Sequence, residues 1–104
     1  MSENNYDIDE GVLTEKKEKV KVPRLFKVLL HNDDYTTMEF VVFVLKKVFF
    51  KNDTEATHIM LNVHKKGVGV AGVFSYEVAE MKVSRVHSFA ESNKHPLKCS
   101  LEPE

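Results

Sequence analysis

The sequence predicts an α+β domain in which a small three-stranded antiparallel sheet is covered on one side by three helices, in the order βααβαβ. Short apolar or alternating segments at 25–30, 68–74 and 97–102 favour strands. Segments at 36–50, 53–66 and 76–93 repeat apolar residues at helical spacing and follow capping residues. Because one domain typically takes about 100 to 200 residues, a chain of 104 residues has room for one core.

The first strand and the first helix flank a polar stretch. Phe26, Val28 and Leu30 share one face of the strand, which we expect to face the core. Thr36 and Glu39 have the spacing of a capping box, so the pattern predicts that the helix begins at Thr36. This helix is expected to end near residue 50 and to bury the face formed by Met38, Val41, Val42, Leu45, Val48 and Phe49.

Start and stop signals also bound the later elements. Asn52 is a suitable cap for the second helix, and Gly67 is expected to end that helix in a left-handed conformation. Glycine in the strand that follows is typical of close approach by another backbone. Ser75 is the expected cap of the third helix. In these elements we expect a core of Ala56, Ile59, Met60, Val63, Val78, Ala79, Val83, Val86, Phe89, Ala90, Leu97, Cys99 and Leu101.

Charge and hydropathy restrict the class of protein. The formal net charge is −1, from 15 basic and 16 acidic residues, so the chain lacks the basic surface expected of a nucleic-acid-binding protein. No apolar run approaches the roughly 20 residues that span a bilayer, and the first residues lack a signal-peptide pattern. We therefore expect a cytoplasmic protein without a membrane segment. The single Cys99 fits a reducing compartment and is expected to be a buried small hydrophobic residue.

Residues 1–22 differ in pattern from the rest of the chain. They mix acids, lysines and isolated apolar residues without a regular period, which predicts a flexible N-terminal tail before a folded domain at 23–104. Such a tail is either an inert terminus or a handle for another protein. The sequence leaves both hypotheses open.

Three side chains that accept hydrogen bonds, at 32–34, end the first apolar run. Carboxylates and an amide at the mouth of an apolar core suit a ligand with a positively charged, donor-rich head and an apolar tail. The same residues could form only the turn into the helix. Acid–base catalysis by Asp33 and Asp34 is disfavoured, because consecutive residues of an extended chain point to opposite sides.

Metal and nucleophile signatures are weak. Neighbouring carboxylates after a strand can bind Mg²⁺, as in a phosphoacceptor receiver domain, but the folded part is short for that fold. The five histidines lack the spacing of a helical zinc site, so we expect no metal and no cofactor. His64 ends an apolar helical stripe just before a glycine. There it either interacts with the helix dipole or contacts a ligand.

Four blocks stand out together, at 30–42 (LHNDDYTTMEFVV), 60–67 (MLNVHKKG), 72–83 (GVFSYEVAEMKV) and 95–99 (HPLKC). In sequence and in order they resemble the ClpS family, the adaptors of the ATP-dependent Clp protease. The resemblance covers about residues 24–102. Thr37 stands where the family usually has proline, which is expected to cost a little rigidity at the helix start. Met81 stands where threonine is common.

The resemblance implies a monomeric α+β adaptor without enzymatic activity. It would bind N-degrons, which are proteins beginning with Leu, Phe, Tyr or Trp, and deliver them to the Clp AAA+ unfoldase. The family pattern implies that Asn32 and His64 hold the α-amino group and that Asp33 contacts the first peptide units. It also implies a side-chain pocket, with Met38 excluding β-branched side chains, formed by Thr36, Met38, Val41, Met60, Val63 and Leu97.

Glu77 and Lys82 match the family surface that docks on the N-terminal domain of the unfoldase, although both could be solvated helix charges. Two alternative functions stay open. One is an interaction domain of the ribosomal-stalk kind, since the C-terminal domain of that family shares the predicted order of elements. The other is a Mg²⁺-dependent phosphoacceptor.

Overall fold

The computed structural model describes residues 22–104, so the tail predicted at 1–22 falls almost wholly outside the described residues. The elements follow the predicted order. They are β1 (Leu25–His31), α1 (Met38–Lys47), α2 (Asp53–Lys66), β2 (Val68–Ser75), α3 (Tyr76–Ser92) and β3 (Lys98–Pro103). The predicted α+β class and the order βααβαβ are confirmed.

The sheet has the strand order β2-β1-β3, and both pairs of neighbours are antiparallel. β1 is therefore the central strand. Leu30 pairs with Gly69 on one side and with Cys99 on the other. This central position brings the end of β1, and the polar stretch that follows it, between the two edge strands.

The core lies between the sheet and the helices. Val28 and Leu30 of β1 are fully buried, as the alternation in the strand predicts. Cys99 is also buried, which confirms its role as a small core residue, and burial raises the pKa of its thiol to about 12. The other buried apolar side chains are Phe40, Val41, Val44, Leu45, Val48, Phe49, Ala56, Met60, Val63, Ala71, Ala79, Val86, Ala90 and Leu97.

The start of α1 differs from the prediction. The N-cap is Thr37, whose Oγ1 accepts a hydrogen bond from the backbone N–H of Phe40 at 3.1 Å. The capping box predicted for Thr36 and Glu39 is wrong, because the Thr36 hydroxyl donates to Asp33 instead. Thr37 is consequently the cap itself rather than the first helical residue, and its hydroxyl supplies a bond that proline cannot make.

The end and the buried face of α1 also need correction. The helix ends at Lys47 rather than near residue 50. Phe40 and Val44 belong to its buried face, whereas the side chain of Met38 is 43% exposed. The exposure of Met38 follows from the later start of the helix. Met38 is the first helical residue, so no preceding helical turn covers its side chain.

The predicted bounds of α2 are confirmed. Asn52 and Glu55 form a capping box, in which each side chain accepts a hydrogen bond from the backbone N–H of the other residue. Gly67 ends the helix with φ +87°, and its N–H donates to the Val63 carbonyl at 2.9 Å. This left-handed position suits glycine because it has no Cβ.

Ser75 occupies the N-cap position of α3 as predicted, although its side chain makes no capping hydrogen bond. The helix buries Lys82, so this residue is not the solvated helix charge that the sequence left open. The Lys82 ammonium donates to the Val48 carbonyl at the end of α1, at 2.6 Å. Within residues 22–104, no helix is both long enough and apolar enough to cross a membrane.

Candidate functional site

A cavity of about 250 Å³ opens between the end of β1, the start of α1 and the second half of α2. Its residues come from two separate parts of the chain. The first part supplies polar groups that precede α1 and two apolar side chains in the first turn of α1, and the second supplies one face of α2. The lining residues are Asn32, Asp33, Asp34, Thr36, Met38, Val41, Met60, Val63 and His64.

Asn32 is fixed through its backbone. Its N–H donates a hydrogen bond to the carbonyl oxygen of Gly67 at 2.9 Å. Gly67 ends α2 three positions after His64, so this bond ties the residue that follows β1 to the end of the helix that carries the histidine. The exposed side chain of Asn32 consequently reaches the same cavity as the imidazole of His64.

Asp33 organises the turn between β1 and α1. One carboxylate oxygen accepts from the backbone N–H groups of Tyr35 at 2.8 Å and of Thr36 at 2.7 Å, and the other accepts from Thr36 Oγ1 at 2.7 Å. Partial burial alone would raise the pKa of Asp33. The hydrogen bonds from Thr36 and Tyr35, together with nearby His95, outweigh burial and hold the pKa below its usual value.

The apolar wall of the cavity combines two helices. Met60, Val63 and His64 lie at helical spacing on one face of α2, so the same face carries two apolar side chains and the imidazole. Val41 of α1 is buried opposite them, and Met38 stands half-exposed at the rim. The cavity is therefore lined by both hydrogen-bond acceptors and apolar side chains.

Asp34 also lines the cavity, although sequence reasoning gave it to the turn. The expectation that Asp33 and Asp34 point away from each other assumed an extended chain, and the chain bends at residues 34–36. The run of acceptor side chains at 32–34 already indicates that Asp34 could belong to the site, although the family pattern gives it no contact with the ligand.

Three residues assigned through the family resemblance are not in the cavity lining. The resemblance placed Leu97 in the pocket, whereas it placed Glu77 and Lys82 on the docking surface. Leu97 is buried in the core and is not part of the cavity lining. Glu77 is exposed in the first turn of α3. Lys82 is 8% exposed, and its ammonium is occupied by the Val48 carbonyl and lies 4.6 Å from the centre of the Phe50 ring.

The cavity wall holds carboxylates and an imidazole, the groups that also ligate metals. In the part of the chain that the structure describes, however, no three His, Cys, Asp or Glu side chains come together as a potential metal site. The polar groups that line the cavity can instead accept hydrogen bonds from a ligand, and apolar side chains line the same cavity.

Comparison with known proteins identifies the family. Residues 21–100 match the model of the ClpS family, described as ATP-dependent Clp protease adaptor protein ClpS. The ATP-dependent Clp protease adapter protein ClpS of Desulfatibacillum aliphaticivorans is 62% identical over 104 residues, which is 100% of both chains. The protein of the same name from Rhodospirillum centenum is 60% identical over 92 residues, 88% of this chain and 85% of that one.

A solved structure agrees with these sequence relatives. It is Agrobacterium tumefaciens ClpS2 bound to L-phenylalaninamide, which superposes with a TM-score of 0.77 at 37% sequence identity and covers 80% of this chain and 100% of that one. The ClpS resemblance of the four sequence blocks is thus confirmed. The chain belongs to the ClpS family, whose members are adaptor proteins of the ATP-dependent Clp protease and not enzymes.

Proposed function

We propose that this adaptor binds the free N-terminus of proteins that begin with Leu, Phe, Tyr or Trp and delivers them to the Clp AAA+ unfoldase. One observation carries the proposal. A single cavity joins hydrogen-bond acceptors from Asn32, Asp33 and His64 to an apolar wall of Val41, Met60 and Val63. An α-amino group followed by a large apolar side chain has the matching chemistry. The family assignment favours this function over the ribosomal-stalk and phosphoacceptor hypotheses.

The amino group is recognised by its donors. A terminal ammonium carries three N–H donors and one positive charge, so an amide oxygen, a carboxylate and an imidazole nitrogen are suitable acceptors. Each charge-assisted hydrogen bond contributes about 1.5 to 3 kcal/mol. Two such bonds and a buried Leu or Phe side chain total about 5 to 9 kcal/mol before association costs. Since about −8 kcal/mol corresponds to micromolar affinity, both halves of the cavity are needed.

Asp33 has a more specific part in this proposal. A carboxylate has about four lone-pair positions, and three of those of Asp33 are taken by Tyr35 and Thr36. One position on the oxygen that faces the Thr36 hydroxyl is left to accept from a peptide N–H. We therefore assign the ammonium to Asn32 and His64, and the first peptide unit to Asp33.

The ligand of the structural relative is consistent with this assignment. L-phenylalaninamide, bound to A. tumefaciens ClpS2, has a free α-amino group, a phenyl side chain and an amide in place of the next peptide unit. These are the three groups that the cavity of the present chain would recognise. The likeness of the two folds supports a ligand of the same class.

Delivery requires contact with the unfoldase. We place this contact between α3 of the adaptor and the N-terminal domain of the unfoldase. Glu77 is exposed there and available for a charged contact. Lys82 acts indirectly, because its ammonium holds the end of α1 and the ring of Phe50, a residue that is 74% exposed. We propose that the N-terminal tail at 1–22 contributes to delivery rather than to peptide binding.

Peptide binding tests the central proposal. Fluorescence anisotropy would be measured with peptides that share every residue except the first, beginning with Leu, Phe or Ile, and with an N-acetylated Leu peptide. We expect the Leu and Phe peptides to bind at micromolar concentration and the acetylated and Ile peptides to bind far more weakly. Equal binding of the acetylated peptide would contradict the proposal.

Two variants locate the amino group. Asn32→Ala and His64→Ala should each weaken binding of the Leu peptide by about tenfold or more, because each loses a charge-assisted bond. His58→Ala is the matched control, since His58 is exposed on the same helix as His64 and does not line the cavity. If His58→Ala and His64→Ala bind the peptide equally, the role given to His64 is wrong.

Docking and delivery are measured separately. Glu77→Lys should weaken binding to the isolated N-terminal domain of the unfoldase without changing peptide affinity. Glu91→Lys, at the other end of α3, is the control. Deleting residues 1–20 should leave peptide affinity intact and slow degradation of a model substrate. Full delivery by the truncated protein would contradict the role given to the tail.

A further inference from the structure

Gly69 lies where β2 packs closely against α2. It pairs with Leu30 of β1, whose side chain is fully buried under the helices. A Cβ placed on Gly69 would lie 2.7 Å from Val63 Cγ2, 3.4 Å from the Val63 backbone nitrogen and 3.5 Å from the Ile59 carbonyl oxygen. The first distance is well below a carbon–carbon contact of about 3.5 to 4.0 Å. Without a change in the neighbouring helix, there is no room for a side chain at this position.

The neighbour that would have to move also lines the cavity. Val63 is 2% exposed, and it contacts Gly69 on one side and the cavity on the other. A valine in a helix has one strongly preferred χ1 rotamer, so its methyl group cannot turn aside at low cost. The side chain would have to shift as a whole.

The strand has less freedom to move than the side chain of Val63. β2 pairs with the central strand from Leu25 opposite Ser75 to His31 opposite Val68, with one register shift between Val28 and Leu29, and Gly69 lies in the regular part that ends at His31. The bond from the Asn32 N–H to the Gly67 carbonyl fixes the start of the strand as well. A Cβ at position 69 would therefore displace Val63 toward the cavity rather than displace β2 from the sheet.

We infer that Gly69 determines how large a first side chain the cavity accepts, although it does not touch the ligand. With glycine at this position, Val63 can lie back against β2 and leave room for an aromatic ring. With alanine, Val63 would advance into the cavity and favour Leu over the larger Trp. The inference rests on the proposed function, because it concerns the same cavity and the same class of ligand.

The test is the ratio of the dissociation constants of two peptides that differ only in beginning with Trp or Leu. Gly69→Ala should raise the Trp-to-Leu ratio by about tenfold, the lower end of what one misplaced methyl group does in an apolar pocket. Gly72→Ala is the matched control. Gly72 is on the same strand, and a Cβ there would meet the Phe74 ring at 2.6 Å rather than Val63. The Trp-to-Leu ratio of Gly72→Ala should equal that of the wild type.

The second variant is Val63→Ala, which enlarges the cavity and should lower the Trp-to-Leu ratio. In the double variant Gly69→Ala with Val63→Ala, the methyl group that clashes is absent. The double variant should therefore have the same ratio as Val63→Ala alone, since the effect of Gly69 is transmitted through Val63. A ratio in the double variant that differs from that of Val63→Ala overturns the inference, and this outcome can be measured even if Gly69→Ala alone does not fold.

Crystal structures of wild type and Gly69→Ala without peptide provide a readout that needs no ligand. Val63 should be displaced toward Val41 in the variant. An unchanged Trp-to-Leu ratio, or an undisplaced Val63, overturns the inference. If the wild type binds no peptide in an amine-dependent manner, the proposed function has failed, and the position of Val63 in the two crystals still decides whether Gly69 sets the size of the cavity.

Discussion

The backbone N–H of Asn32 donates a hydrogen bond to the carbonyl oxygen of Gly67, at 2.9 Å. This bond joins the residue after β1 to the residue that ends α2, and it uses backbone atoms on both sides. The side chain of Asn32 is consequently free to face the cavity, near the imidazole of His64. Two distant segments thus form one polar wall because a backbone hydrogen bond fixes their separation.

Met38 at the cavity rim should determine which side chains enter. Under the proposed function, we expect the half-exposed Met38 to meet the peptide next to its backbone, where β-branched side chains place their bulk, whereas Leu and Phe branch further out. Met38→Ala is expected to raise the affinity for peptides beginning with Ile or Val by about tenfold. Met81→Ala is the control, because Met81 is exposed on α3 and does not line the cavity. If Met38→Ala does not bind the Ile peptide more tightly than the wild type does, Met38 is not the residue that excludes β-branched side chains.

Asp33 should make the stability of the protein depend on pH in the acid range. Its pKa is lowered in the folded state, so its stabilising contribution is complete above the unfolded value of about 3.9 and is lost as the pH falls through the folded pKa. The free energy of unfolding in urea would be compared for wild type and Asp33→Asn from pH 7 to pH 3. The difference between the two proteins is expected to be constant near neutrality and to shrink below about pH 4. A difference that does not vary with pH would show that Asp33 titrates alike in the folded and unfolded states.

Lys82 should stabilise the junction of α1 and α3 through its hydrogen bond to the Val48 carbonyl. Lys82→Met keeps most of the apolar stem but removes the donor, and a buried carbonyl left without a partner costs about 1 to 3 kcal/mol. We expect a loss of that size in the free energy of unfolding. Lys47→Met, at an exposed position of α1, should change it by less than about 0.5 kcal/mol. Equal losses in the two variants would mean that the effect comes from net charge alone.

Thr37 should contribute more to the stability of α1 as its cap than a threonine within a helix does. Thr37→Ala removes the acceptor for the Phe40 N–H and is expected to cost about 0.5 to 2 kcal/mol, whereas Thr37→Ser keeps it. Thr57→Ala, at an exposed position inside α2, is the control and should be neutral or slightly stabilising. Urea unfolding measures all three. If Thr37→Ala is as stable as the wild type, the N-cap does not limit the stability of this helix.

Cys99 should be unreactive in the folded protein. Burial raises the pKa of its thiol to about 12, so almost none of it is thiolate at pH 8, and the side chain is inaccessible. A disulfide reagent that reports free thiols should react slowly in buffer and stoichiometrically in urea. Rapid reaction in buffer would indicate that β3 separates readily from the sheet.

Much of the fold could be predicted because its signals are local. Asn52 and Glu55 cap α2 within one turn, and Gly67 ends the helix by a conformation that other residues rarely adopt. Hydrophobic periodicity likewise identified the inward faces of β1 and α2. These patterns need no knowledge of the rest of the chain.

The predictions were wrong where a competing or distant group determines the partner of a side chain. Thr36 has the spacing of a cap, but its hydroxyl is taken by Asp33, so Thr37 caps the helix. Lys82 is a charged residue that could be a solvated helix charge and is nevertheless buried, because the Val48 carbonyl and three phenylalanine rings surround its ammonium. The Val48 carbonyl and two of the three rings are more than 30 residues from Lys82 in the chain, so local sequence does not reveal this environment.

The sequence by itself determined the order of the elements, the family and the residues able to accept hydrogen bonds from a ligand. Periodicity, caps and motif blocks are properties of short segments, so they can be identified without coordinates. The resemblance implied that Asn32 and His64 share a site, but only the tertiary structure decided how the cavity between them is formed, that Leu97 does not line it, and that Gly69 lies behind Val63. These relations depend on how closely β2 packs on α2 and on the bond from Asn32 to Gly67, and packing distances between remote segments are set only when the chain folds.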